Sequence, residues 1–126
     1  MLDRIDIEWA AISDTSPGRR AANRWTPVLS AAGFEYDPVD GLDALVSLIR
    51  HPGDHRRTDI VVRVLLDAAH AGDELAARTL IQGLLPFVGR LAARYARGGV
   101  ASFDDAAGEI LAAVQRRITA TDPRRQ

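Results

Sequence analysis

Two helical segments joined by a short glycine turn dominate the second half of the chain. The first runs from Asp73 to Arg97 and the second from Ser102 to Thr119, with a Gly-Gly pair between them. Apolar residues recur at three- and four-residue intervals in both segments, which gives each helix one apolar face. The first set is Leu80, Ile81, Leu84, Val88, Leu91 and Tyr95, and the second is Phe103, Ala107, Ile110, Leu111, Val114 and Ile118. The short turn predicts that these faces meet in an αα-hairpin.

The first part of the chain predicts further helices of ordinary length. Residues 2–12 fit a helix better than a strand, and a helix over 16–32 has Ser16 as its cap, followed by proline, and a glycine at its end. That helix should direct Ala21, Ala22, Trp25, Val28, Leu29 and Ala32 inward. Two more helices follow, one after Asp37-Pro38 and one that ends at Ala71.

Asp73 is predicted to cap the long helix, and Pro86 to kink or split it, because proline lacks the N–H that a helix interior requires. Asp122-Pro123 is predicted to end the last helix. We therefore predict an all-α fold, in which residues 1–126 form one compact domain of five to six helices around a central C-terminal αα-hairpin.

The composition fits a soluble globular protein. The chain has 126 residues, of which 47% are hydrophobic and 26% charged, and its formal net charge is −1. The absence of cysteine excludes disulfides, thiol catalysis and cysteine-ligated metal centres. No apolar stretch approaches the roughly 18 residues of a membrane span, and the N-terminus lacks the apolar core of a signal peptide. We therefore expect a cytoplasmic protein that does not associate with membranes.

The sequence does not predict an enzyme or a bound cofactor. His51 and His55 have the spacing of two metal ligands on a helix, but a Pro-Gly pair between them argues against a continuous helix. The serines stand at cap positions or within helices without a nucleophile motif, and the glycines form no phosphate-binding loop. Asp104 and Asp105 open a helix, where the macrodipole stabilises negative charge. We expect no catalytic residue, metal site or cofactor.

All sixteen basic residues are arginine, and residues 86–126 carry seven of them against four acidic residues. Arg90, Arg94 and Arg97 lie three to four residues apart on one flank of the long helix. A solvated helix face accounts for this row, and contact with nucleic-acid phosphates is the alternative. The net charge does not favour DNA binding, and we expect no exposed aromatic residue among the arginines, which single-strand binding would favour.

Residues 64–118 resemble the start of region 2 of sigma-70-type transcription initiation factors. In that family, an Ala-x-x-Gly-Asp-x-x-Ala stretch precedes a helix, and a short turn leads to a second helix built on Asp-Leu-x-Gln-Glu. Here residues 69–76, AHAGDELA, match the first part, and Asp105, Glu109 and Ile110 fall in register with the second. The segments around Trp25 and over 37–57 look like leader sequences of actinobacterial members of the family.

The resemblance implies a partner. In the family, the second helix docks on a coiled coil of the largest subunit of RNA polymerase. The implied contacts in this chain are Asp105, Glu109, Arg116 and Arg117. Gly108 stands where the family has Gln, and Gln115 where it has Trp. The chain stops at Gln126, where the helices for promoter melting and −10 recognition would begin, so we expect a truncated region 2.

We therefore favour a non-enzymatic transcription-associated domain that binds core RNA polymerase through its last helix. The alternative is a helical interaction or homo-oligomerisation module unrelated to polymerase, in which Trp9 and Trp25 serve as interface anchors as readily as core residues. Direct binding of DNA through Arg90, Arg94, Arg97 and the arginine-rich tail ranks third.

Overall fold

The computed structural model describes residues 2–13, 15–51, 53–99 and 101–119. These residues contain six α-helices, one 3₁₀ turn over Pro38–Asp40 and no strand. The helices are α1 (Leu2–Ser13), α2 (Ser16–Ala31), α3 (Gly41–Arg50), α4 (His55–His70), α5 (Glu74–Arg97) and α6 (Phe103–Thr119). The predicted all-α fold is confirmed. The predicted end of the last helix at Asp122-Pro123 lies outside the described residues.

Helix α5 lies at the centre of the bundle. It contacts each of the other five helices, and its most extensive contact is with α6. Residues 79–83 are all buried, so neighbours surround this part of α5 on every side. Beyond Val88, however, Ala92 is the one buried residue of α5. The second half of the helix is therefore exposed to solvent over much of its circumference.

The predicted αα-hairpin is present, but the aromatic residues lie outside its contact. Tyr95 and Phe103, which the sequence pattern assigns to the inner faces, are 46% and 41% exposed. The contact near the turn is made instead by Ala92, Ala106 and Ala107, which form a small buried cluster. Small side chains let the two helices pack closely here, and the larger rings remain at the edge.

Helix α2 differs from its prediction in two ways. Thr15, not Ser16, is the cap: its hydroxyl accepts a hydrogen bond from the Gly18 N–H at 3.5 Å, and its carbonyl accepts one from the Arg19 N–H at 3.0 Å. The first helical hydrogen bond therefore starts one residue earlier than predicted. Val28 is 52% exposed, and Ala32 is exposed too, because the buried face is centred on Ala21, Ala22, Trp25 and Leu29.

Pro86 does not split α5. It has no N–H, so the carbonyl of Gln82, one turn earlier, lacks its helical donor. Arg50 of α3 supplies two donors instead, with Nε at 3.1 Å and Nη2 at 2.7 Å from that carbonyl oxygen. The Gln82 side-chain amide donates to Asp6 of α1, whose carboxylate lies 3.5 Å from the Arg50 guanidinium. The interruption in α5 therefore links it to α1 and α3.

A close approach between α3 and α5 accompanies this network. A Cβ atom on Gly83 would lie 2.8 Å from Cβ and Cγ2 of Ile49, which is closer than van der Waals contact allows. Glycine at this position of α5 therefore lets the two helices approach far enough for Arg50 to reach the Gln82 carbonyl.

Substitution of Arg50 by methionine should leave the Gln82 carbonyl without a donor. We expect the free energy of unfolding to fall by about 1.5–3 kcal/mol, the usual contribution of hydrogen bonds from a charged group. In a Pro86→Ala background, the new backbone N–H at position 86 can donate to the Gln82 carbonyl. The Arg50→Met substitution should therefore cost about 1 kcal/mol less in that background. Urea unfolding of wild type, Arg50→Met, Pro86→Ala and the double variant, followed by circular dichroism, measures the cost of Arg50→Met with and without Pro86.

Arg63→Met is the matched control, because Arg63 is exposed and makes no ion pair with another described residue. Its effect should stay within about 0.5 kcal/mol. An equal cost of Arg50→Met in the two backgrounds would show that Arg50 does not act through the Gln82 carbonyl.

Candidate partner-binding face

All four predicted partner contacts are exposed side chains of α6: Asp105, Glu109, Arg116 and Arg117. At about 100° of rotation per residue, the first three lie within an arc of about 40° on the side of the helix opposite buried Ala107. Arg117 lies about 100° away from the centre of this arc. We call Asp105, Glu109 and Arg116 the α6 stripe, and Arg117 is a flanking residue.

The α6 stripe is acidic at one end and basic at the other. Glu109 and Arg116 are separated by about 10 Å along the helix axis, and neither makes an ion pair with another described residue. The macrodipole favours Asp105 near the start of the helix and Arg116 near its end. It does not account for Glu109, which lies four residues from Asp105 with the same charge, an arrangement that weakens a helix.

Helix α6 is fixed at both ends, which holds the α6 stripe in place. At its start, the Ser102 hydroxyl accepts a hydrogen bond from the Asp105 N–H at 3.2 Å. Near its end, Nε2 of His70 in α4 lies 3.4 Å from the carbonyl oxygen of Arg117. Its inner side is buried at Ala106, Ala107, Leu111 and Ile118.

The start of the hairpin is fixed by the carboxylate of Asp73. One oxygen accepts hydrogen bonds from the N–H groups of Leu75 and Ala76 at 3.1 and 3.2 Å, which caps α5. The other accepts from the Trp25 indole at 3.0 Å and the Arg24 guanidinium at 3.2 Å, both on α2. Burial alone would raise the pKa of Asp73, but these hydrogen bonds and the charge of Arg24 outweigh it and hold the pKa below its ordinary value.

The predicted nucleic-acid contacts lie on the other side of the hairpin. Arg90, Arg94 and Arg97 are exposed, and within the described ranges no carboxylate forms an ion pair with them. Their spacing places them opposite Ala92, the α5 residue that packs against α6. The fold therefore separates the arginine row from the α6 stripe and does not combine them in one site.

Phe87 overturns the expectation that no exposed aromatic residue accompanies the arginines. Its side chain is 49% exposed. Together with Arg90, Leu91 and Arg94 it lines a surface pocket of about 140 Å³. The sequence indicates this grouping through the three- and four-residue spacing of Phe87, Arg90 and Arg94. Because the neighbouring apolar residues were assigned to the inner face of the helix, the exposure of Phe87 was not predicted.

Several alternative sites find no support in the part of the chain that the structure covers. No group of three or more potential metal ligands occurs there, and both His51 and His55 are exposed, with α4 beginning only at His55. Trp9 and Trp25 are 5% and 3% exposed, so both belong to the core and neither is a surface anchor. None of the described helices combines the length and apolarity that crossing a bilayer requires.

Comparisons with protein-family profiles, with curated proteins and with solved structures found no match. The resemblance to sigma factors therefore rests on the sequence motifs alone and stays a prediction.

The Asp73 contacts generate a prediction about stability. Asp73→Ala removes the α5 cap together with both hydrogen bonds from α2, and we expect the free energy of unfolding to fall by about 2 kcal/mol. The matched control is Asp54→Ala, because Asp54 caps α4 through the N–H groups of Arg56 and Arg57, with no side-chain bond to another of the described helices. Its loss should be smaller, about 1 kcal/mol. Urea unfolding at neutral pH compares the two.

The lowered pKa of Asp73 also predicts a pH dependence. A folded-state pKa below the unfolded value, about 3.9, means that ionised Asp73 contributes its full stabilisation above that pH and loses it as the pH falls through the folded pKa. Asp73→Asn keeps a capping oxygen but cannot ionise. The difference in unfolding free energy between wild type and Asp73→Asn should therefore be largest at neutral pH and shrink below about pH 4. A difference that stays constant or grows towards acid pH would contradict this account.

Proposed function

We propose that this chain is a cytoplasmic, non-enzymatic transcription-associated domain that binds core RNA polymerase through the α6 stripe, in the manner of the first part of sigma region 2. The observation that carries the proposal is that Asp105, Glu109 and Arg116 share one exposed side of α6. Asp105 and Glu109 are also positions in register with the sigma motif. Their charges are available to a partner, since they make no ion pair with any residue described.

The surface beside the α6 stripe suits a helical partner. Gly108, Ala112 and Ala113 lie next to it, and their small side chains allow another helix to approach closely between the acidic and basic ends. A coiled coil with the opposite order of charges would then place a cation opposite Glu109 and an anion opposite Arg116. Complementary charge of this kind contributes to specificity and to the association rate. The glycine that stands where the family has Gln is compatible with this form of contact.

A binding experiment with core RNA polymerase tests the proposal. Immobilised wild-type protein should retain the polymerase, and the charge reversal Glu109→Arg with Arg116→Glu should reduce retention at least about tenfold, because it places like charges opposite each other. The matched control is Asp59→Arg with Arg63→Glu, a reversal of two exposed charges on α4 that should leave retention unchanged. Wild-type retention equal to background, or retention unaffected by the α6 reversal, would refute the proposal.

The second candidate is an oligomerisation module, which is favoured by three exposed apolar side chains outside the hairpin. Val39, Ile7 and Val28 are 89%, 72% and 52% exposed. Both tryptophans are buried, so neither is an interface anchor for self-association. We therefore expect light scattering to give the monomer mass over a wide range of protein concentration. A mass that rises with concentration would favour self-association instead.

A further inference from the structure

We infer that the outward side of the second half of α5 is a binding site for single-stranded nucleic acid. The site consists of Phe87, Arg90, Arg94 and Arg97, and we call it the α5 arginine face. At about 100° of rotation per residue, these four residues lie within an arc of about 80°, centred opposite Ala92. All four are exposed, so a ligand can reach the whole arc without any change in the fold.

The charge of this face is not balanced within its own helix. After Glu74, α5 contains no acidic residue. None of the three guanidinium groups has an ion-pair partner among the described residues. Arg90 and Arg94 are about 6 Å apart along the helix axis, and Arg97 extends the row to about 10 Å. This is a separation that successive phosphates of an extended strand can match, and guanidinium groups bind phosphate oxygens with two parallel hydrogen bonds.

Phe87 distinguishes this face from a simple basic patch. Its half-exposed ring lies beside Arg90 and Arg94, and these residues together with Leu91 line the pocket of about 140 Å³. Aromatic side chains beside phosphate-binding cations are a usual feature of single-strand sites, because unpaired bases can stack on them whatever the sequence.

The same geometry argues against two other anionic partners. A duplex keeps its bases stacked inside, so its backbone would engage the arginines but leave the Phe87 ring without a base. An acidic polypeptide would likewise need only the cations. The inference is independent of polymerase binding, because the α5 arginine face and the α6 stripe lie on opposite sides of the hairpin and the sigma resemblance assigns no role to these four residues.

Fluorescence anisotropy of labelled oligothymidine and oligouridine strands of twelve nucleotides, titrated with the full chain at low salt, measures the affinity. The logarithm of the association constant should fall with the logarithm of salt concentration with a slope of about −2, as expected for three phosphate contacts on a single strand. Arg90→Ala with Arg94→Ala should weaken binding at least about tenfold. Phe87→Ala should weaken it at least about fivefold, and Phe87→Leu, which keeps apolar bulk without an aromatic ring, should behave like Phe87→Ala.

The matched control is Arg56→Ala with Arg63→Ala, which removes two exposed arginines from α4 and leaves the α5 arginine face intact. It should change the affinity less than about twofold. Circular dichroism identifies any variant that fails to fold, and Phe87→Leu retains the apolar contacts if Phe87→Ala does not fold. The DNA and RNA strands show which of the two the face prefers.

Four results would overturn the inference. The first is no binding of either strand at the lowest salt. The second is affinity unchanged by both Phe87 substitutions, and the third is an equal loss of affinity in the α4 control. The fourth is tighter binding of a duplex or of a polyglutamate peptide of the same length, either of which would reassign the face to that partner.

Discussion

The carbonyl oxygen of Gln82 is the group on which the arrangement of the helices depends. It is deprived of its helical donor by Pro86, and a buried polar group without a hydrogen bond costs about 1–3 kcal/mol. Arg50 satisfies it from α3, and the same guanidinium lies beside Asp6 of α1. Gly83 follows Gln82 in α5 and leaves room for the Ile49 side chain of α3. Helix α3 therefore lies close enough for Arg50 to make this contact. The carbonyl left without a helical donor in the central helix is thus the point at which polar contacts join α5 to two other helices.

Asp73 likewise joins α5 to a neighbouring helix, here at the start of α5. A cap needs only one carboxylate oxygen, and here the second oxygen joins the cap to Trp25 and Arg24 of α2. The N-terminal half of α5 is consequently held by α1, α2 and α3 together, through polar contacts with defined geometry as well as through its buried apolar face. The exposed C-terminal half extends beyond these contacts, with α6 packed along one side of it.

Apart from the cap of α2, which is Thr15 and not Ser16, the local features of this fold were predictable from the sequence, and the long-range contacts were not. A helix cap or a Gly-Gly turn is recognised from adjacent residues in the sequence. The cap at Asp73, the helix start at Ser102 and the hairpin could therefore be predicted. The partner of the Gln82 carbonyl is 32 residues away in the chain, and no local pattern identifies Arg50. The exposure of Tyr95 and Phe87 was missed for another reason. Spacing gives the direction of each side chain around a helix, but only the position of α6 over Ala92 shows which direction is inward.

The position of α6 over Ala92 also explains why this hairpin has two separate candidate surfaces. Helix α6 covers one side of α5 through small residues, and its own charged stripe then faces away from that contact. The uncovered side of α5 presents three exposed arginines and a half-exposed aromatic ring. Neither set of charges improves the packing of the core, and Glu109 beside Asp105 weakens the helix that carries it. The macrodipole does not favour Glu109 or Arg90 in their own helices. Exposed charges of this kind are expected of surfaces that bind a partner, and the two candidate surfaces lie on opposite sides of one hairpin.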